Sequence, residues 1–278
     1  MKKGRNPNAL SRGQRILLLI LTFCAVYPFV MIVIVSFKSR ADYLNSPIGL
    51  PQQWILKNYE TVFQTADIFR AFRNSLVLTV CSVAAQLLSG SLAAYALARM
   101  KFKGKRGTYI AFLLPLFMPV QAVVIPLYVI YKNAGLLNSL TGLIIIYTAS
   151  GLPLVILTLS SFIGTIPVQI SEAAFMEGLS HFQVYRRIIL PLLKPAVATV
   201  IIISGLGVWN DFYLPLLMLT DVKLATLPLK TYLFVGQYRV EWTKISVCIV
   251  YLVIPVLIVY FFLQKQIIEG VAAGSVKG

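Results

Sequence analysis

Apolar positions in this chain fall in long unbroken runs, not in the alternating or three-to-four-spaced patterns of soluble strands and helices. Six runs stand out, at 16–37, 75–97, 107–130, 139–163, 197–219 and 245–263. Each is close to the roughly 20 residues that a helix needs to cross the hydrocarbon of a bilayer. In lipid the backbone must satisfy its own hydrogen bonds, so such runs are helical. The pattern predicts an all-α polytopic membrane protein with six transmembrane helices over 16–263. A segment 1–15 precedes them, a tail 264–278 follows, and a polar interval at 165–195 separates the fourth run from the fifth. Pro115, Pro119, Pro126, Gly151 and Pro153 crowd the third and fourth runs. Each proline there frees a carbonyl that a neighbouring helix or cavity water must satisfy, which suits a bundle that moves or lines a cavity.

Composition sharpens this reading. Of 278 residues 58% are hydrophobic and 12% charged, with a mean hydropathy of +0.82, where a soluble domain carries about a quarter charged residues. The net charge of +16 raises nucleic acid as a partner. However, the basic residues are interleaved between apolar runs, so they read as topology signals and no nucleic-acid partner is expected. With the N-terminus inside, the inner segments hold 15 of the 25 basic residues, five of them ahead of the first run with no acid. The outer segments dilute their ten with Asp42, Glu60, Asp67, Asp221 and Glu241. Both termini are therefore expected on the cytoplasmic side. The first run is too long for a signal peptide and lacks a small-residue cleavage site, so it reads as a retained span. Cys24, Cys81 and Cys248 lie within apolar runs without metal or redox spacing, and read as small buried hydrophobes. Aromatics in the outer segments 38–74 and 220–244 fit interfacial anchors or a docking surface.

The interval SEAAFMEGLSHFQVYRRIILPLLKP, residues 171–195, is charged and glycine-broken between two membrane-length runs. Pro167 suits a helix's first turn. Phe175, Met176, Leu179 and Phe182 set apolar side chains along one side, and Gly178 interrupts the helix, so two short helices meeting at a bend are expected. Pro191 and Pro195 return the chain to a span. Such an elbow either lies in the headgroup layer or fits a groove on another protein.

The order Glu172-Ala173-Ala174, three residues, Gly178, then Ile188, Leu190, Pro191 and Pro195 resembles the EAA loop of ATP-binding-cassette importer permeases. Glu177 stands where that family often has Asp. The tail FFLQKQIIEGVAAGSVKG, through Gln266, Gly270, Gly274, Val276, Lys277 and Gly278, is similar to carbohydrate-uptake permeases of the maltose type. So is the last outer loop, through Leu227, Pro228, Gly236, Tyr238 and Trp242. The resemblance implies the type I importer permease fold and a place in the inner membrane of a prokaryote. It implies a second permease subunit, two cytoplasmic ATPase subunits and an extracellular sugar-binding protein as partners, besides membrane lipid. It assigns ATPase coupling to Glu172, Ala173, Ala174, Phe175, Met176, Glu177, Gly178 and Leu179, with Arg186 and Arg187 as anchors of the lever, and ATPase contact to Gly274, Ser275, Val276, Lys277 and Gly278. Gly178 is required there because a side chain would clash in the partner's cleft or because the turn needs positive φ; alternatively it is an ordinary helix-ending glycine.

No G-x-x-x-x-G-K-[ST] loop occurs in the sequence, so ATP and Mg²⁺ are expected on the partner ATPase and no cofactor or metal in this chain. His181, the only His, has no Ser, Cys or acid arranged with it for catalysis, and no catalytic residues are assigned. Asp211 is the one acid deep in a run, costly there and a default functional candidate. With Trp209, Asn210 and Tyr213 it offers an aromatic face with hydrogen-bonding groups for a sugar; alternatively it pairs with a basic residue or caps a helix broken at Pro215. Gln86, Gln121 and Tyr147 are further wall candidates that could instead bridge helices. An importer of a non-sugar solute and an ATP-independent secondary transporter are the rival functions. The latter would need repeated halves or several intramembrane charges, neither of which is evident.

Overall fold

The computed structural model describes residues 11–236 and 240–275, with side chains through Phe261. In chain order the α-helices are α1 (Arg12–Ser36), α2 (Arg40–Asn45), α3 (Lys57–Thr65), α4 (Ile68–Arg99), α5 (Lys105–Leu113), α6 (Val120–Asn133) and α7 (Leu140–Thr165). They continue with α8 (Val168–Met176), α9 (His181–Val184), α10 (Leu190–Leu192), α11 (Lys194–Asn210), α12 (Tyr213–Met218), α13 (Leu227–Lys230) and α14 (Trp242–Ser275). Among the described residues no strand forms beyond a single antiparallel bridge, Val235 to Val240.

Four of these helices, Arg12–Ser36, Ile68–Arg99, Leu140–Thr165 and the Trp242–Phe261 part of α14, are long and apolar enough to cross a membrane. Counting each of two bent pairs as one span, Lys105–Phe117 with Val120–Asn133 and His181–Leu192 with Lys194–Asn210, raises the number to as many as six. The first, second, fourth and sixth predicted runs are therefore continuous helices, and α14 carries on through most of the expected tail. The other two differ from expectation. In the third run Lys105–Phe117 and Val120–Asn133 meet at 102°. Pro119 has no N–H to continue the ladder, and Met118 before it is driven to extended backbone at φ −104°, ψ 120°. In the fifth run α11 stops at Asn210, Asp211 is extended at ψ 126°, and α12 begins at Tyr213. The break falls four residues ahead of Pro215, where the proline ring would meet the carbonyl of an unbroken helix. Pro126 and Pro153, by contrast, ride inside intact helices.

The chain forms two units: one joins the chain up to Asp67 with Thr231–Val253, and the other joins Ile68–Lys230 with the chain from Ile254. In the first, α1 starts at a capping box in which Ser11 and Gln14 bond each other's backbone amides. At its far end Phe37 packs on Trp54 and Tyr59 at 5.3 and 5.1 Å, and Tyr59 stacks edge-on against Tyr251. Lys38 is 0% exposed and gives its Nζ proton to the carbonyl of Ser46. Part of the outer aromatics thus serves internal packing, and one basic residue counted as an outer charge is a buried donor.

In the second unit α4 and α7 are the principal pair, with α11 packed on both. Their approach is set by small residues, as in membrane bundles generally. A Cβ on Gly90 would sit 2.6 Å from Cγ1 of Val155, and one on Gly151 would sit 2.3 Å from the Gln86 amide. One core cluster joins Ala94, Tyr95, Val155, Leu159 and Ile163 to the interval after α7; another joins Leu78, Tyr147, Val208, Leu214 and Met218. Lys230, a second basic residue of the outer segments, is buried and donates to the carbonyl of Val222. Cys248 is buried as expected, whereas Cys24 and Cys81 sit on outward faces of apolar helices.

Candidate functional site

The interval between α7 and α11 forms the expected elbow. Arg99, in the last turn of α4, donates from Nη2 to the carbonyls of Ile163 and Ile166 and so closes the end of α7, where unpaired carbonyls favour a cation. Pro167 then stands at the N-cap of α8 rather than inside its first turn, with ψ 132°. α8 ends in a Schellman turn: the Gly178 N–H donates to Phe175 O at 3.0 Å and the Leu179 N–H to Ala174 O at 3.1 Å. That turn requires a left-handed residue at Gly178, which has φ +82°. The two intrachain readings of this glycine are therefore one, since it ends the helix because it can hold positive φ. A Cβ there meets nothing within 4 Å, so no clash within this chain calls for glycine.

Ser180 opens the second arm with a capping box to Gln183. α9, a π-helical turn at Tyr185–Ile189 and α10 run on as one rod, which meets α11 at 75°. The widened turn has a local cause. Pro191 cannot donate to the carbonyl four residues back, and the Leu190 N–H bonds Tyr185 O in a five-residue step.

The elbow has two faces. Ala174, Val184, Tyr185, Ile189 and Leu193 are buried against Tyr95, Leu159 and Ile163. The Tyr185 hydroxyl shares a hydrogen bond of 2.7 Å with Ser91 Oγ on α4. His181 rests edge-on against Phe175 at 4.7 Å, with Nδ1 3.5 Å from the Tyr95 hydroxyl. Glu172, Ala173, Phe175, Met176, Glu177 and Phe182 point outward, with Met176 89% exposed. Leu179 is half-buried against the core. Ala174, one of the predicted coupling residues, thus belongs to the inner face. Arg186 and Arg187 are exposed and, among the described residues, make no hydrogen bond or ion pair, so within this chain they do not anchor the lever. The anchors are Tyr185, Ser91, Tyr95 and Arg99. Sequence reading passed over them because nothing local separates them from the other polar residues of apolar runs.

The second candidate cluster is the break between α11 and α12. Asp211 Oδ2 accepts the Tyr147 hydroxyl at 2.7 Å, and Oδ1 accepts the Tyr213 N–H at 2.8 Å. The carboxylate therefore caps α12 and ties it to α7, with Tyr147 in place of the basic partner considered from sequence. Gln86 Nε2 donates to Tyr147 O at 2.7 Å, so Gln86 and Tyr147 do bridge helices. Trp209 is buried and packs edge-on against Phe72 at 5.8 Å. Asn210 is exposed, Tyr213 half-buried, and Gln121 lies exposed on the first turn of α6 without a hydrogen bond to the cluster. Gly274 and Ser275 fall on the last helical turn of α14, while Tyr238, Val276, Lys277 and Gly278 lie outside the described residues.

Known proteins resemble this chain along most of its length. The profile of the family described as binding-protein-dependent transport system inner membrane component matches residues 86–272. A diacetylchitobiose uptake system permease, NgcG of Streptomyces coelicolor, is 34% identical over 261 residues, covering 93% of this chain and 86% of that one. MsmG of Streptococcus mutans, a multiple sugar-binding transport system permease, is 35% identical over 281 residues, covering all of both. Among solved structures, a chain of a bacterial ABC transporter for alginate import shares the fold, with a TM-score of 0.77 at 24% identity over 92% of this chain and 98% of that one. With four to six helical segments long and apolar enough to cross a membrane, a two-faced elbow and this match, the chain belongs to the family of binding-protein-dependent transport system inner membrane components.

Proposed function

We propose that this chain is the permease subunit of an ATP-driven sugar importer, with an oligosaccharide as its cargo. It forms half of the translocation path beside a second permease subunit. Two cytoplasmic ATPase subunits bind and hydrolyse ATP with Mg²⁺, and an extracellular binding protein delivers the sugar. The chain itself carries no nucleotide site. It lies in the inner membrane with both termini, and the elbow, on the cytoplasmic side.

The observation that carries this reading is the division of the elbow into a locked inner face and a free outer one. An outward set of Phe175, Met176 and Phe182 flanked by Glu172 and Glu177 suits a cleft on a protein better than lipid, since the acids would be stranded in hydrocarbon. Because α9 and α10 run into α11 through a fixed bend, a displacement of α8 is carried to α11 as a rotation, not absorbed in a loose loop. The far end of α11 is tied to α7 through Asp211 and Tyr147, so the same motion reaches the polar residues within the membrane. The sugar cargo is supported by the relatives named for sugar uptake and by the tail and outer-loop resemblance.

A mild-detergent pull-down of the chain from its native membranes, read by mass spectrometry, tests the proposal. Co-recovery of a second permease and a phosphate-loop ATPase is expected. A stable lone chain or homodimer without any ATPase would sink it and leave the elbow as an interfacial helix.

A further inference from the structure

A wide-open groove, a shallow cavity of about 450 Å³, lies at the elbow end of the second unit, between the last turn of α4, the first turns of α5 and the C-terminal part of α7. Its walls are Leu97 and Ala98 on one side, Ser160 and Ser161 on another, and Lys105, Arg106 and Tyr109 on the third. We propose that this cavity binds the phosphodiester headgroup of an anionic phospholipid, with the acyl chains running along the outer face of α5.

Charge argues for an anion. No Asp or Glu occurs from residue 68 to residue 171, so none of the three helices around the cavity carries an acid. The C-terminal ends of α4 and α7 would repel an anion through their unpaired carbonyls, but both are already covered. Lys105 Nζ donates to Ala98 O and Met100 O at 3.4 and 3.1 Å, and Arg99 holds Ile163 O and Ile166 O. Arg106 is left exposed at the cavity with no hydrogen bond or ion pair among the described residues, and its planar fork suits phosphate oxygens. Ser161 has no hydrogen bond among them either, and Tyr109 is half-buried beside it.

Apolar surroundings argue for a lipid over a free anion or a soluble acidic partner. From Arg106 the next turns present Ile110 on α5 and then Leu114 just past its end, both outward and apolar. A headgroup seated at Arg106 would lay its chains on them, whereas a soluble anion has no use for such a surface. Basic pockets between helices at the membrane boundary are the general architecture for anionic headgroups. The proposal rests on the chain spanning a membrane and not on its cargo.

The test is native mass spectrometry of the full chain, purified in mild detergent with whatever accompanies it and titrated with phosphatidylglycerol or phosphatidylcholine. Preferential retention of phosphatidylglycerol is expected. Arg106→Gln should weaken it about fivefold, the factor for the roughly 1 kcal/mol of one cation near an anionic headgroup. Lys103→Gln, the same charge change on an exposed residue that does not line the cavity, should weaken it less than Arg106→Gln does. Should Arg106→Gln not fold, Ser161→Leu fills the cavity from an exposed position without altering charge, and is expected to abolish the preference. Equal weakening by Arg106→Gln and Lys103→Gln would overturn the proposal, as would equal retention of both lipids. Displacement by inorganic phosphate would make it a free-anion site, and binding seen only after removal of an accompanying protein would make it a protein contact.

Discussion

Replacing Gly178 distinguishes two reasons for a glycine in the elbow that make opposite predictions. The backbone there has φ +82° and closes the Schellman turn through the Gly178 and Leu179 amides. An L-residue in the left-handed region costs about 1–2 kcal/mol, or about five- to thirtyfold in the population of the correct turn at 1.4 kcal/mol per tenfold. Asn tolerates that region better than other non-glycine residues. Since a Cβ at this position meets nothing within 4 Å in the chain, no packing penalty adds to the conformational one. If the turn is what matters, Gly178→Asn retains more function than Gly178→Ala despite its larger side chain. If the partner's cleft has no room, the order reverses, because Ala is the smaller. The assay is uptake in cells together with the amount of ATPase recovered on the chain, normalised to chain in the membrane. Membrane levels should stay near wild type for both variants, because the core around Tyr185, Leu159 and Ile163 is untouched. Uptake with Ala at or above Asn would refute the conformational argument, and wild-type uptake with Ala, Asn and Asp alike would remove the glycine from coupling altogether.

Three further outcomes are expected. Glu172→Lys, on the outward face of α8, should abolish uptake while changing stability by no more than about 0.5 kcal/mol, as for other surface changes; normal uptake would sink the coupling role of that face. Tyr185→Phe removes the buried bond to Ser91 Oγ at a cost of about 0.6–1.5 kcal/mol. Hydrogen exchange over 181–192 should rise, and adding Ser91→Ala should cost little more; fully additive effects would show that the two hydroxyls do not act as a pair. Gly90→Ala places a Cβ 2.6 Å from Val155 Cγ1 and should lower the melting temperature in detergent by an overpacking cost of about 1–3 kcal/mol. Gly164→Ala, with open space around it, serves as the control, and equal melting of the two variants would refute the close-packing reading of α4 and α7.

Much of the elbow could be read in the linear sequence because its signals are local. A glycine four residues after Glu-Ala-Ala and prolines at the return are backbone instructions that act within one or two turns, and each is found doing so. The free outer face was legible only in part, since Phe175, Met176 and Phe182 point outward but Leu179, expected beside them, packs against the core. What anchors the inner face was not, since Tyr185 and Ser91 are 94 residues apart and neither neighbourhood differs from other Tyr and Ser in apolar surroundings. The cluster at Asp211 was only half legible. Its acid in a hydrophobic run marks a cost that something must relieve, but Tyr147 as the reliever is a matter of helix placement.

Hydrophobic run length alone marked this as an all-α membrane protein with six runs of crossing length, because a bilayer sets both the length of a span and the need for internal backbone bonding. Tertiary structure alone decided that two of those runs are broken, at Met118–Pro119 and at Asp211–Phe212. A proline in a run states that one carbonyl will lose its donor, but not whether the helix absorbs the loss, as at Pro126 and Pro153, or breaks, as at Pro119 and ahead of Pro215. That choice depends on which donors and side chains neighbouring helices bring to the spot, and a chain read residue by residue does not contain its neighbours in space.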